Sequence, residues 1–577
     1  MTLAPQVQID FTRPGGGRWQ RCLGDFRDIV EATTLAAVKP ALQRLERAVH
    51  AGAEAVGWIA YEAAPAFDPA LQVRPPETGL PLLWFGIDGR EVTLPKPKHH
   101  AAFGPWKATV DAHTYGEIFT RIQAALAAGN TYQVNYTFGL EASFNGDPAW
   151  LYETLRQAQR AGYSAWFHYP ERDIVSVSPE LFFARRGRRI LVRPMKGTRK
   201  RGLTLAADRS IAQELANAAK DQAENIMIVD LLRSDLSRIA ETAGVTVPSL
   251  FVLERYPTLW QMTSTIEARL PAHTRLGTIL DALFPCGSVT GAPKAATMRL
   301  IAREEHTSRG IYCGAIGYVT RRETVFSVAI RTLTLTGNKA RYPVGSGLVA
   351  DSVGPVEYAE CLTKAAVLEQ SGLADFQLLE TLRHDPGTGF FLLDRHLARL
   401  AESAEYFGFT YNREGILQQL EGAVLDRHSS SRVRLRLFPD GHCAIEVEPC
   451  SGSPPPIRIV LAGTPVSKSD PFLYHKTTHR QAYEQARATR PDAEEVVLFN
   501  ESGEVTETSI ANLAIERHGH WVTPKIDSGL LGGTMRAELL ARGQITEGTI
   551  DVAEMRRAPR ILLFNSVRGT WEAHLFE

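Results

Sequence analysis

An α+β module followed by a separate α/β module is the fold this sequence predicts. In the first module, short apolar runs pair up around turn residues and alternate with amphipathic helices, as in an α+β fold. A fresh series of strand and turn signals then starts after Ser371-Gly372 with almost no linker. Length agrees: 577 residues suggest three or four domain-sized units, grouped here into modules 1–370 and 375–577.

Lysine plus arginine (64) equals aspartate plus glutamate (64), so no basic field argues for nucleic acid or an anionic membrane. No apolar run is long enough to span a bilayer, and Met1 to Asp10 has no signal pattern. The six cysteines are scattered without a Cys-x-x-Cys pair, which reads as reduced thiols in a cytoplasmic protein.

In chain order, Lys39–His50 predicts an amphipathic helix after Pro40, and Val56–Tyr61 a buried strand. Pro95–Pro105 reads as a linker or surface loop, and Tyr115–Ala128 as a helix stopped at Gly129-Asn130. Asn130–Leu140 alternates as a strand with Gln133 and Asn135 on one face; Ser164–His168 and Ile174–Ser178 follow as strands. Leu181–Arg185 and Arg189–Val192, turned at Gly187, form a hairpin. Glu180 starts that hairpin and Lys196 follows it, so the two return to one end, where a carboxyl and an amine could serve as acid and nucleophile.

A long helical pattern runs from Asp208 to about Ser237 and carries Asp221 and Glu224 on one face. Ser288–Lys294 is a small-residue loop opening the helix Ala295–Glu304, a natural carboxylate seat. A meander of Gly314–Thr320, Thr324–Thr336 and Ala340–Val344 ends in Gly345-Ser-Gly347, where backbone can approach a ligand closely. A helix from Pro355 carries Glu357 and Glu360. Acid pairs at this spacing are most often solvated helix faces, but four clustered carboxylates call for a cation, and all-oxygen ligands suit Mg²⁺.

Residues 110–370 resemble the chorismate-utilising enzymes. The resemblance rests on Tyr132-Gln-Val-Asn135, Ser178-Pro-Glu180, Asp221-Gln-Ala-Glu-Asn225, Thr290-Gly-Ala-Pro-Lys294, Gly310-Ile-Tyr-Cys-Gly314, Ala329-Ile-Arg331, Gly345-Ser-Gly347 and Glu357-Tyr-Ala-Glu360. It implies that Glu224 and Glu360 coordinate Mg²⁺, with Asp221 and Glu357 supporting through water. Tyr312, Arg331, Gly345 and Gly347, with the loop Thr290, Gly291, Ala292 and Lys294, would hold chorismate's carboxylates. Glu180 would be the general acid–base at the departing 4-hydroxyl. Lys196, in Pro194-Met-Lys-Gly-Thr198, resembles the branch that aminates at C4, where anthranilate synthases carry a small alanine. Gln261, in Leu259-Trp-Gln-Met-Thr-Ser264, stands where many relatives have a histidine near the chorismate ring.

The sequence contains no Gly-x-Cys-x-Gly elbow and no His-Pro-Glu. Ammonia is therefore expected from a separate glutamine amidotransferase subunit or from solution. Residues 375–577 resemble the fold-type IV pyridoxal-phosphate enzymes, of the D-amino-acid aminotransferase kind, which implies a two-subdomain α/β fold. The motifs are Lys476-Thr-x-x-Arg480, Thr506-Glu-Thr-Ser-x-x-Asn512 and His396-Leu-Ala-Arg-Leu400. By resemblance Lys476 would carry pyridoxal 5'-phosphate and Glu507 would face its ring nitrogen. Arg399 would bind the phosphate with the backbone N–H groups of Ile510 and Thr534.

Together the resemblances imply amination of chorismate to 4-amino-4-deoxychorismate, then elimination of pyruvate to give 4-aminobenzoate, a folate precursor. An anthranilate-type synthase fused to an aminotransferase, or a non-catalytic C-terminal scaffold, stays open at this point. So does a homodimer through the pyridoxal-phosphate module.

Overall fold

A computed structural model describes residues 5–93, 100–369, 376–450 and 455–576. Part of the Pro95–Pro105 loop and all of Ser371-Gly372 lie outside the described residues. The chain divides into two compact units: Met1–Lys200 with Ala212–Ala374, and Arg201–Ile211 with Asp375–Glu577.

The first unit is built on an 11-stranded and a 10-stranded sheet, antiparallel throughout. Between them lies a core drawn from both: Ile9, Phe11 and Phe167 from one sheet, Val56, Trp58, Ile316 and Tyr318 from the other. Trp19 stacks on Tyr318 at 4.1 Å between ring centroids. The outer face of the first sheet, with Tyr136, Phe138 and Leu140, packs on Ile118 and Ile122 of the helix Ala112–Ala127 and on Leu151 and Leu155 of Pro148–Gln159. The outer face of the second packs on Leu42 and Leu45 of Leu35–His50 and on Ile228 and Leu232 of Ala219–Ser237. Each such side chain stabilises the unit by about 1.5–3 kcal/mol on burial. This two-layer arrangement with outer helices is the α+β fold expected of the first module.

Three elements differ from expectation. The first helix begins at Leu35, not Lys39, and keeps Pro40 inside it, because Val38, Ala41, Leu42, Leu45 and Val49 bury one continuous stripe. The Asp208–Ser237 pattern is two helices, Leu205–Ala216 and Ala219–Ser237, broken where Ala218 is extended (φ −74°, ψ 98°). The Thr324–Thr336 run is two strands in different sheets, Glu323–Val328 and Thr332–Thr336. They are separated at Ala329–Arg331, and Arg331 takes a left-handed φ of 48° there.

The second unit has two sheets, hence two subdomains. Leu378–Asp385, Ser431–Leu437 and Cys443–Pro449 form an antiparallel sheet with Gly389–Phe390 at its edge. Eight strands from Ile457–Leu461 to Gly569–Leu575 form a mixed sheet around Val497, Leu513, Ile515 and Leu563. Residues 201–211 contribute to this unit: Arg201 is buried, bonds Asp208 at 2.6 Å and the Tyr406 carbonyl at 2.9 Å, and lies over the Tyr406 ring. Leu203 packs against the Leu473, Tyr483 and Leu498 cluster.

Among the described residues no helix is long and apolar enough to cross a membrane.

Candidate active sites

The hairpin forms as predicted, Leu181 opposite Arg193 with Gly187 turning at φ +60°. The chain then re-enters the sheet as Met195–Lys200. Glu180 and Lys196 are thereby brought to one buried place, each within the other's field. Burial pushes the Glu180 carboxyl up to about 7, partly offset by a hydrogen bond from Ser288 and by the charge of Lys196. Its Oε1 has no protein partner. Burial also lowers the Lys196 amine, against the pull of Glu224 and Glu180. A carboxyl that keeps its proton near neutrality beside an amine whose pKa is lowered has the chemistry that an acid–nucleophile pair requires.

Gly347 borders the same space: a Cβ there would lie 2.6 Å from Gln133 Nε2 and 3.1 Å from Lys196 Nζ. A Cβ on Gly345 would strike the Tyr136 carbonyl at 2.6 Å. Both glycines are thus demanded by close approach. Gln133 is fully buried with both amide atoms unpartnered. Buried polar atoms left unpaired around one spot mark a place where a polar ligand supplies the partners. Gln133 is the residue that sequence reasoning left off the site; its position on the strand face shared with Asn135 was the available signal.

The other expected residues divide. Thr290 is buried and donates to the Cys286 carbonyl, and the Thr290 carbonyl accepts from Asn135 N at 2.8 Å. This ties the loop with Gly291 and Ala292 to the Gln133–Asn145 strand, on which both residues pair. Lys294 opens the next helix but commits its amine to Asp235 at 3.0 Å and to the Leu283 carbonyl at 3.2 Å. Tyr312 is buried, its hydroxyl raised by burial. Arg331 donates to Gln159 at 2.8 Å.

The acid pairs sit on Ala219–Ser237 and Gly354–Thr363. Glu224, raised by burial, feels Lys196, Asp221 and Glu357. Asp221 pairs with Arg199 at 2.6 Å, Glu357 accepts from Ser352 at 2.8 Å, and Glu360 pairs with Lys364 at 2.9 Å. Burial would raise Glu360, but the charge and hydrogen bond of Lys364 hold it below the ordinary range. Among the described residues no three acids, histidines or cysteines converge at metal-binding distance. The donor set itself, carboxylates on two neighbouring helices, has the hard oxygen chemistry that suits Mg²⁺. An ion held by Glu224 and Glu360 would take over from these internal cations as counter-charge.

In the second unit Lys476, Glu507, Arg399, Ile510 and Thr534 all line one cavity of about 290 Å³. Burial, helped by Arg399, pushes the Lys476 amine down to about 8. Glu507, raised by burial to about 7, accepts from Tyr483 Oη (2.7 Å), Leu531 N (3.0 Å) and Asn512 Nδ2 (3.0 Å), which fix its orientation. Arg399 is clamped by Glu380 through bonds of 2.8 and 2.6 Å, and Glu380 also accepts from His396 at 2.6 Å. Burial would raise Glu380, yet Arg399 and His396 pull it down to about 2. Thr534 starts the helix Thr534–Ala541 with Gly533 at its cap, a seat for an anion. An amine, a carboxyl facing it and a cation at a helix start fit pyridoxal phosphate in size and polarity. Tyr483 and Glu380 were not legible as site residues, because each acts on a motif residue from a distant part of the chain.

A double antiparallel sheet with an acid–amine pocket, followed by a two-subdomain unit with a lysine cavity, fits a chorismate-binding enzyme domain followed by a class IV aminotransferase-like domain. The sequence matches say the same: residues 90–370 match the chorismate binding enzyme family and residues 377–575 match amino-transferase class IV. Aminodeoxychorismate synthase component 1 of Klebsiella aerogenes is 42% identical over 260 residues, 45% of this chain and 58% of that protein. Anthranilate synthase component 1 3 of Haloarcula marismortui is 36% identical over 249 residues, 43% of this chain and 50% of its own length. The chain thus spans little more than half the length of these curated relatives. The crystal structure of anthranilate synthase component I from Streptococcus pneumoniae shares the fold, with a TM-score of 0.52 at 22% identity over 64% of this chain and 93% of that one.

Proposed function

We propose that the chain makes 4-aminobenzoate in two steps: C4 amination of chorismate in the first unit, then loss of pyruvate from the aminodeoxychorismate in the second. The observation that carries this reading is the convergence of Lys196 and Glu180. Lys196 adds at C2 as Glu180 gives its proton to the departing C4 hydroxyl; ammonia then enters at C4 and expels the lysine. Where an alanine stands in place of the lysine, as in anthranilate synthases, C2 is left open to ammonia itself. The name of the Klebsiella relative, a component 1, supports an ammonia supply from a separate glutaminase subunit. Mg²⁺ at Glu224 and Glu360, supported by Asp221 and Glu357, would neutralise a substrate carboxylate.

Bound pyridoxal phosphate supplies an electron sink for the second step. The chain's own part there is to hold the ring nitrogen against Glu507, the phosphate against Arg399 and the Thr534 helix, and to move a proton with the Lys476 amine. Incubating the protein with chorismate, ammonium and Mg²⁺, with and without pyridoxal phosphate, tests the whole reading. 4-Aminobenzoate with the cofactor and aminodeoxychorismate without it are expected; an ortho-aminated product would overturn the assignment.

A further inference from the structure

The strand that presents Lys196 is not regular. Met195 pairs with Thr263 and Thr198 with Gln261, with a register shift between them, so three steps along one strand match two along the other. Lys196 and Gly197 form that bulge, and Gly197 sits at φ +86°, where a Cβ would come within 3.0 Å of Asp221. A bulge re-aims a side chain, but it also takes main-chain groups out of the ladder, and these need other partners. Gln261 provides one of them and also holds the neighbouring side chain. Its Nε2 donates to the Gly197 carbonyl at 2.9 Å, and its Oε1 accepts from Thr198 Oγ1 at 2.9 Å. The side chain is buried, and its own residue is the ladder partner of Thr198. One amide is therefore spent entirely on the two residues that follow Lys196.

We propose that Gln261 is a positioning residue whose amide holds the Lys196–Gly197 bulge in the one conformation that aims the Lys196 amine between Glu180, Gln133 and Gly347. The inference rests on the reading of Lys196 as nucleophile. A glutamine suits the task because it offers one donor and one acceptor at every pH. Neutral imidazole offers the same pair, but it gains a proton near pH 6.5, then has no acceptor, and sets a second cation beside Lys196. Leucine fills a similar volume and offers neither bond.

The test compares Gln261→Leu, Gln261→His, Thr198→Val and Lys196→Ala in the full-length protein, assayed for para-amination with ammonium, chorismate and Mg²⁺. Gln261→Leu should lower kcat about 10- to 100-fold while the chorismate KM stays within about twofold. Lyase turnover of supplied aminodeoxychorismate should be unchanged, which excludes general misfolding. Adding Thr198→Val to Gln261→Leu should cost nothing more, since both act on one bonded unit. Gln261→His should recover most of the rate above about pH 7, and its rate relative to wild type should fall as pH drops through about 6.5.

Wild-type kcat in Gln261→Leu, with Lys196→Ala inactive, would overturn the proposal and leave the nucleophile reading standing. So would a Gln261→His profile parallel to wild type. Near-normal para-amination by Lys196→Ala would overturn both. If Gln261→Leu fails to fold, Gln261→His and Thr198→Val decide by the same pH and kcat criteria.

Discussion

Single ionisable side chains carry the pH dependence expected of each half, of activity in the first and of stability in the second. As the proposed acid, Glu180 must be protonated to release a hydroxyl, and burial raises its pKa to about 7. Amination should therefore decline as pH rises above about 7, and Glu180→Gln should remove it by orders of magnitude in steady-state assays at any pH. Glu380 behaves in the opposite sense. Its folded pKa, about 2, lies below its ordinary 4.5, so the unfolded chain binds the proton more readily between those values. Stability from the Glu380–Arg399–His396 clamp is thus present above about pH 4.5 and lost as pH falls toward 2. Melting curves of Glu380→Gln and wild type should differ at pH 7 and converge in acid; a constant gap would mean that the clamp's ionisation contributes nothing. At this scale sequence located residues that the structure places together where they sit inside short motifs, as at Lys196, Lys476 and Glu507. It hinted at Gln133 only through the strand face shared with Asn135, and it did not single out Tyr483 or Glu380 as site residues, since their role comes from a partner that folding alone brings near.

Among the elements, the two acid-bearing helices make the sharpest case. Their pairs point at a shared region, yet Glu360 is balanced by Lys364 and Asp221 by Arg199. Replacing Glu360 by glutamine removes one proposed metal ligand and leaves Lys364 without its carboxylate. Mg²⁺ binding followed by calorimetry should weaken at least about tenfold and para-amination should collapse, with lyase activity intact. Unchanged Mg²⁺ affinity would show that the ion binds elsewhere. Most elements were legible because their apolar period was strong, and their ends shifted by a few residues. The failures have a common cause. Alternation continues through Ala329–Arg331, so nothing local tells that the strand has left one sheet for the other; and helical periodicity continues through Asn217–Ala218, where the backbone breaks. The bulge at Lys196 is likewise set by its partner strand, not by its own residues.

For the whole molecule, the two lysine sites draw on separate sets of residues and should respond independently. Lys476→Ala should still consume chorismate with ammonium and Mg²⁺ but release aminodeoxychorismate, and an added active lyase should restore 4-aminobenzoate. Wild-type 4-aminobenzoate production by the variant alone would sink the second half of the reading. Independence of chemistry does not extend to folding. A fragment of residues 375–577 lacks Arg201 over Tyr406 and the Leu203 contact, and should melt about 5–10 °C below the same unit in the full chain. An equal melting temperature would show that the segment adds no stability. The same segment matters during synthesis. Residues 201–211 leave the ribosome long before Glu405 and Tyr406 exist, and completing the chain to Glu577 takes roughly 20–70 s more at about 5–20 residues per second. Until then a stretch that follows the Lys196 strand waits for the unit of Lys476, so the nascent protein spends that interval holding the first piece of a unit whose remainder has yet to be made.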